Sequence, residues 1–172
     1  MELNKITFRQ AIKEDVLFVA KIKVDGWKNA YQEIIDKAYL DKMSIDDEVE
    51  KINKKYNLKD IYVAEFNEEI IGFCRMYESE KSIIENIDVR CWLKEIYIKP
   101  NLKGCGVGGK FFEFIKDIYK NKGYTKLYLG CFRKNYLSRK FYEKNNGQKY
   151  GYGKLLIDNI DYEIVTYLFD LQ

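Results

Sequence analysis

Between Lys103 and Phe111 the chain reads KGCGVGGKF, with Gly104, Gly106, Gly108 and Gly109 crowded into one stretch. Before it lies a stretch from Cys91 to Ile98, rich in strand-favouring residues and stopped by Pro100. After it, Val107, Phe111, Ile115 and Ile118 recur at helical spacing as far as Gly123. A strand, a glycine turn and an amphipathic helix in that order require the helix to lie back on the sheet and share its core.

The flanking sequence extends the pattern. Ile6 to Arg9 alternates as a short strand, and Val16, Val19, Ala20 and Val24 mark a helix over Asp15 to Val24. A second helical region is expected from Trp27 to about Met43, and Ser44 with Asp47 resembles the capped start of a third. Ile61 to Phe66 and Ile70 to Tyr77 read as a hairpin through Asn67-Glu68-Glu69, followed by a polar loop from Glu78 to Asp88. Thr125 to Cys131 is a further strand and Tyr136 to Asn145 a further helix. Lys149 to Ile157 and Ile160 to Phe169 form a closing hairpin around Asp158-Asn159. Strands and helices alternate in the middle and strands dominate the end, so the expected fold is α/β (α+β) with a mixed sheet, in one domain over residues 1–172.

Composition removes whole classes of chemistry. There is no histidine, which excludes Ser-His-Asp and Cys-His nucleophiles and most transition-metal sites; no metal is expected. Cys74, Cys91, Cys105 and Cys131 stand far apart with no C-x-x-C, so they read as buried reduced thiols. The net charge of +3, from 30 basic and 27 acidic residues, is too even to call for nucleic acid. Charges interrupt every apolar run, and the opening MELNKITFRQ has no signal-peptide core, so no membrane and a cytoplasmic location are expected.

The glycine stretch fits three phosphate-binding patterns. Gly104, Gly109 and Lys110 match most of a nucleotide-triphosphate loop, but Phe111 stands where a hydroxyl must ligate magnesium. Gly104, Gly106 and Gly109 match a dinucleotide turn, but Pro100 to Lys103 intervene after the strand and the next strand tip, Gly130-Cys131-Phe132, lacks the ribose-binding acid. The third pattern is that of EIYIKPNLKGCGVGGKF taken together with N135-YLSRK-F141-Y142-EKNNG147, thirty residues on. Lys103, Gly106 and Gly108 fall on a Gln/Arg-x-x-Gly-x-Gly/Ala signature, with Lys in the first place. Asn135, Phe141, Tyr142 and Gly147 follow an Asn-x-x-(Ala/Ser)-x-x-Phe-Tyr-x-x-x-Gly pattern with one extra residue before Gly147. On these residues the chain resembles the GNAT superfamily of acyl-CoA N-acyltransferases.

That resemblance implies a mixed, mostly antiparallel sheet of about seven strands flanked by helices, with a central parallel pair splayed to hold acetyl-CoA as cosubstrate. It assigns cofactor binding to Ile96, Tyr97 and Ile98 through the strand backbone, to Lys103, Gly104, Cys105, Gly106, Val107, Gly108, Gly109 and Lys110 around the pyrophosphate, and to Asn135 and Tyr142. The physics agrees: glycines let backbone N–H groups close on an anion, and a helix N-terminus adds its positive end. Tyr142 is expected to be the general acid, because a phenol keeps its proton at neutral pH. Relatives that acetylate protein N-termini carry a glutamate where this chain has Gly130; the resemblance offers instead Glu95, on the cofactor-binding strand where polyamine-acetylating relatives also carry an acid that meets the acceptor, as the expected base and acceptor contact. Trp27 and Tyr31, four apart on a predicted helix, are expected to line the acceptor pocket, and GWKNAYQEII resembles a subgroup that includes polyamine acetyltransferases. The expected reaction is direct acetyl transfer to a primary amine of a small molecule, a polyamine most concretely, with Glu78, Glu80, Glu85 and Asp88 suited to a polycation. The alternatives are a protein lysine or aminoglycoside acetyltransferase and a non-catalytic acyl-CoA sensor; a homodimer is compatible with each.

Overall fold

A computed structural model describes residues 2–172. Seven strands make one sheet: β1 (Thr7–Gln10), β2 (Ile61–Phe66), β3 (Glu69–Glu78), β4 (Cys91–Ile98), β5 (Lys126–Phe132), β6 (Gln148–Ile157) and β7 (Ile160–Asp170). Their spatial order is β1-β2-β3-β4-β5-β7-β6, and every neighbouring pair is antiparallel except β4 with β5. The helices are α1 (Val16–Ala30), α2 (Lys37–Lys42), α3 (Ile45–Lys55), α4 (Val107–Asn121) and α5 (Tyr136–Lys144). Among the described residues no helix is long and apolar enough to cross a membrane.

Side-chain alternation assigns the two faces of the sheet. On β2, Ile61 and Val63 join Val16, Val19, Ala20 and Ile52 beneath α1 and α3. Ala64 turns to the opposite face, where Val107, Phe111, Phe112, Ile115 and Tyr119 of α4 meet Leu93, Leu127, Leu129, Tyr167 and Phe169. Each large apolar side chain buried there contributes about 1.5–3 kcal/mol, so α4 is held by its buried face rather than by propensity. A third cluster, Ile35, Leu40 and Phe132 with Trp27, Tyr31 and Tyr39 against it, closes the end of β5.

The parallel pair is the feature that matters for function. β4 and β5 are paired only at Trp92 with Tyr128 and Leu93 with Leu129. Beyond Leu93 the register of β4 on β3 slips by one residue, Met76 facing Leu93 and Arg75 facing Glu95, so that Lys94 is the extra residue of a bulge. A bulge bends its strand and sharpens the twist. From that point β4 leaves β5, and the two strands open a cleft between them.

The hairpins form as the sequence suggests, with tight turns at Asn67-Glu68 and Asp158-Asn159, all four residues at positive φ as a twisted two-residue turn requires. Ser44 Oγ accepts from Asp47 N at 3.0 Å and starts α3. One expectation is corrected: the helical region from Trp27 to Met43 is broken. Trp27 to Ala30 finish α1, the chain turns after Tyr31, and α2 starts only at Lys37, capped by Asp36. Apolar Ile34, Ile35 and Leu40 continue a helix-like pattern through the turn because all belong to the third cluster. The cysteine expectation also needs correcting in part, since Cys74 and Cys91 are buried but Cys105 is exposed and Cys131 half-buried.

Candidate active site

Opening the parallel pair leaves a cleft of about 860 Å³. One half is bordered by Ile98, Leu102, Lys103, Gly104, Gly108, Asn135 and Phe141; Tyr142 and Gly130 also line it; the other half runs past Tyr31, Tyr97 and Glu95 to Lys94. The sequence-predicted residues Trp27, Tyr31, Glu95, Ile96, Tyr97, Ile98, Lys103, Gly104, Gly108, Asn135 and Tyr142 therefore meet in one space. Cys105, Gly106, Val107, Gly109 and Lys110 are not among the residues that line it.

The glycine turn is built for backbone donors. Gly104 and Gly106 take φ of +79° and +85°, and Gly106 caps α4 in the left-handed region, where a side chain would be strained. Lys110 N donates to Gly106 O, whereas the N–H groups of Gly104, Gly106, Val107, Gly108 and Gly109 find no acceptor among the described residues. Five unsatisfied donors at a helix N-terminus suit a pyrophosphate, so the residues present fit acetyl-CoA. Val107 is fully buried and can contribute only its backbone. Lys110 departs from expectation: its Nζ donates to Leu3 O at 2.8 Å and ties the N-terminal segment to α4 instead of reaching into the cleft. Lys103 Nζ bonds Asn29 Oδ1, which places its charge across the mouth of the cleft.

On β4, Lys99 N donates to Ile71 O on the β3 side. Because successive backbone N–H groups alternate between strand edges, the Ile98 N–H points to the opposite edge, into the opened gap. Asn135 caps α5 by accepting from Ser138 N at 3.1 Å, which leaves its amide nitrogen as the group able to meet a ligand.

The Tyr142 ring is packed among Phe112, Phe141, Tyr167 and Phe169 with centroids 5.4–6.3 Å away. Its hydroxyl has no protein partner among the described residues; burial, with Cys131 and Tyr31 nearby, pushes the phenol well above its usual range. Tyr31 and Tyr97 share a hydrogen bond of 3.1 Å between their hydroxyls, and burial pushes Tyr31 up to about 12. Cys131, which also lines the cleft, is pushed up to about 11 by burial and so stays a neutral thiol rather than a nucleophile.

Glu95 is not the free carboxylate expected from sequence. Its Oε1 accepts from Arg75 Nε at 2.7 Å and from the same guanidinium's terminal nitrogen, and its Oε2 lies 2.9 Å from Lys23 Nζ, as an ion pair without a well-angled hydrogen bond. Lys23 also pairs with Glu48 at 2.8 Å and donates to Tyr56 Oη at 3.0 Å. The Lys23, Glu48, Arg75 and Glu95 side chains are only 5–9 % exposed. Burial works to raise the Glu95 carboxyl, but Lys23 and Arg75 outweigh it and hold the group below the ordinary glutamate value. Both oxygens are engaged and the carboxylate is a weaker base than usual, so it is poorly suited to take a proton from an ammonium. The acidic loop is corrected likewise: Glu80, Glu85 and Asp88 do not line the cleft, and Glu78 is bonded to Lys122 and Tyr124.

Sequence reasoning missed Lys23, Arg75, Lys94, Trp92 and Tyr128 as cleft residues. The bulge that brings Lys94 to the cleft leaves no mark in composition or periodicity.

Residues 24–148 match the model of the "Acetyltransferase (GNAT) family". The chain is 27% identical over 131 residues to the "Uncharacterized N-acetyltransferase YuaI" of Bacillus subtilis (strain 168), covering 76% of this chain and 73% of that one. Its fold is similar to an N-acetyltransferase from Staphylococcus aureus Mu50, with TM-score 0.68 and 21% identity over 97% of this chain and 99% of that one. It is also similar to the PaiA N-acetyltransferase from Thermoplasma acidophilum solved in complex with coenzyme A, with TM-score 0.63 and 24% identity over 93% and 97%. The family match spans the splayed β4–β5 pair, the glycine turn and the helix carrying Tyr142, and on it the chain belongs to the acetyltransferase (GNAT) family as an acetyl-CoA-dependent N-acetyltransferase.

Proposed function

We propose that the protein moves the acetyl group of acetyl-CoA directly to a primary amine of a small molecule, with Tyr142 as the general acid. The observation that carries this reading is the Tyr142 hydroxyl, which opens on the cleft from a buried ring, has no hydrogen-bond partner among the described residues and keeps its proton well past neutral pH. A tyrosine serving only the core would be expected to bond its hydroxyl, as Tyr119 does to Tyr77 O and Trp92 O at 3.1 Å. The complexes of the Thermoplasma relative with coenzyme A and of YncA from Salmonella typhimurium with acetyl-CoA support the same ligand here.

When bound, acetyl-CoA supplies an activated thioester. The free N–H groups of Gly104, Gly106, Val107, Gly108 and Gly109 hold its pyrophosphate, and Lys103 adds charge at the rim. The Ile98 N–H donates to the carbonyl oxygen on which negative charge grows, an interaction worth about 3 kcal/mol in comparable sites. Tyr142 Oη holds the proton that the departing sulfur needs as the C–S bond breaks and the N–C bond forms. The amine's own proton leaves to solvent, since the Glu95 carboxylate is engaged by two cations.

Incubating the protein with acetyl-CoA and a panel of primary amines, and following free thiol together with the mass of the acetylated amine, tests the reading. Equal production of both is expected. Thiol release without an acetylated amine would refute it.

A further inference from the structure

The acceptor half of the cleft is cationic. Lys23, Lys51 and Arg75 line it against Glu95, with Glu48 behind them 2.8 Å from Lys23 and 3.7 Å from Lys51, so three cations share two carboxylates. Lys94 is a fourth, and among the described residues no carboxylate stands within ion-pair distance of it; its Nζ instead sits 4.2 Å from the centre of the Trp92 ring. Glu78 shares a neighbouring depression with Lys94 but is taken by Lys122. Lys94 is exposed at the rim of the cleft, and partial burial, with Arg75 adding to it and Glu95 only partly offsetting it, holds its ammonium below the ordinary value.

The uncharged groups there are also donor-rich. The Trp27 indole N–H is buried without an acceptor among the described residues. Trp27, Tyr31 and Phe132 form an aromatic wall with centroids 4.9–6.3 Å apart, facing Leu155, Ile157 and Ile164. The phosphates of the cofactor do not answer this charge, because Lys94 lies four residues back along β4 from Ile98, about 13 Å from the end that meets the glycine turn.

We propose that the acyl acceptor is an anionic amine, whose carboxylate is received by Lys94 while an apolar or aromatic spacer lies on the Trp27–Tyr31–Phe132 wall. This rests on the function proposed above and replaces the polyamine expected from sequence, which would bring further positive charge to an already cationic wall. Lys94 stands four strand residues, about 13 Å, from the Ile98 N–H at the reacting carbonyl, and a lysine side chain turned into the cleft spans part of that distance, so a spacer of about 7–10 Å joins the carboxylate to the reacting nitrogen.

Three rigid amines of one shape isolate the charge: para-aminomethylbenzoate, benzylamine and para-xylylenediamine. The kcat/KM for acetylation is expected to fall in that order, by about tenfold or more from first to last at low salt, with the span shrinking as salt screens it. Lys94→Gln should level the three while leaving acetyl-CoA affinity unchanged. Binding is measured separately on the CoA-saturated protein with para-toluate and para-methylbenzylamine, neither an acetylated product. Both tryptophans line the cleft, so intrinsic fluorescence reports occupancy. Tighter binding of para-toluate, lost in Lys94→Gln, is expected even if no amine in the set is turned over; that outcome would sink the catalytic reading and leave the anion site standing. Equal or tighter binding of the cation, or no binding of para-toluate, overturns the inference.

Discussion

Replacing Tyr142 by Phe removes one oxygen from a ring that keeps all its aromatic neighbours, Phe112, Phe141, Tyr167 and Phe169. The hydroxyl has no partner among the described residues, so its loss orphans no donor or acceptor there, and stability should stay within about 0.5 kcal/mol of the parent. Catalysis should not be so forgiving. Without the proton on Oη, the sulfur must leave as a bare thiolate or wait for solvent, and a positioned acid is typically worth 10²- to 10⁴-fold, about 3–5 kcal/mol of barrier. The assay is steady-state thiol release alongside calorimetric titration of acetyl-CoA and a thermal melt. The expected result is kcat lowered by about two to four decades, with cofactor affinity and melting temperature unchanged. Burial raises the phenol above its ordinary value near 10, so the parent's kcat should show no falling limb below about pH 10. An unchanged kcat in Tyr142→Phe, or a loss mirrored in cofactor affinity, would refute the assignment.

Glu95→Gln leaves Lys23 and Arg75 buried with Glu48 as their remaining acid; a loss of about 3–5 kcal/mol is expected, read as a lower melting temperature, and an unchanged melt would show the network to be slack. Because the Glu95 carboxyl is held low, it is already ionised above its ordinary value and contributes no rising limb between about pH 5 and 8. The rise of kcat/KM with pH should instead move with the basicity of the amine used, and one limb common to amines of different basicity would contradict this. At Gly108 an added methyl meets Phe141 and Ile98 at ordinary contact distances of 3.8 and 3.9 Å, so Gly108→Ala should hold or raise stability by up to about 1 kcal/mol while weakening acetyl-CoA at least several-fold by calorimetry. Gly106→Ala, at φ +85° with Leu3 only 3.0 Å from the new carbon, should cost about 1–2 kcal/mol in chemical denaturation as well.

What could be read from the sequence was local. The glycine turn between β4 and α4, the Asp158-Asn159 hairpin and the Ser44 cap each depend on a few adjacent residues whose conformational preferences act at short range. The break at Tyr31 was hidden because Ile34, Ile35 and Leu40 keep an apolar rhythm across it, and only their common burial with Phe132 explains that rhythm. The charged half of the cleft was hidden for another reason. Lys23, Glu48, Arg75 and Glu95 come from α1, α3, β3 and β4, so their charges meet only when the sheet and both helices are in place. Glu95 taken alone on its strand looks like a base; with its partners present it is one corner of a closed network.

Calorimetric titration of acetyl-CoA into the purified protein, with ATP and NAD as controls, tests the central claim most directly. The account predicts micromolar binding of acetyl-CoA, lost in large part in Gly108→Ala, and no heat from the other two nucleotides. No binding of acetyl-CoA, or equal binding of all three, would contradict it.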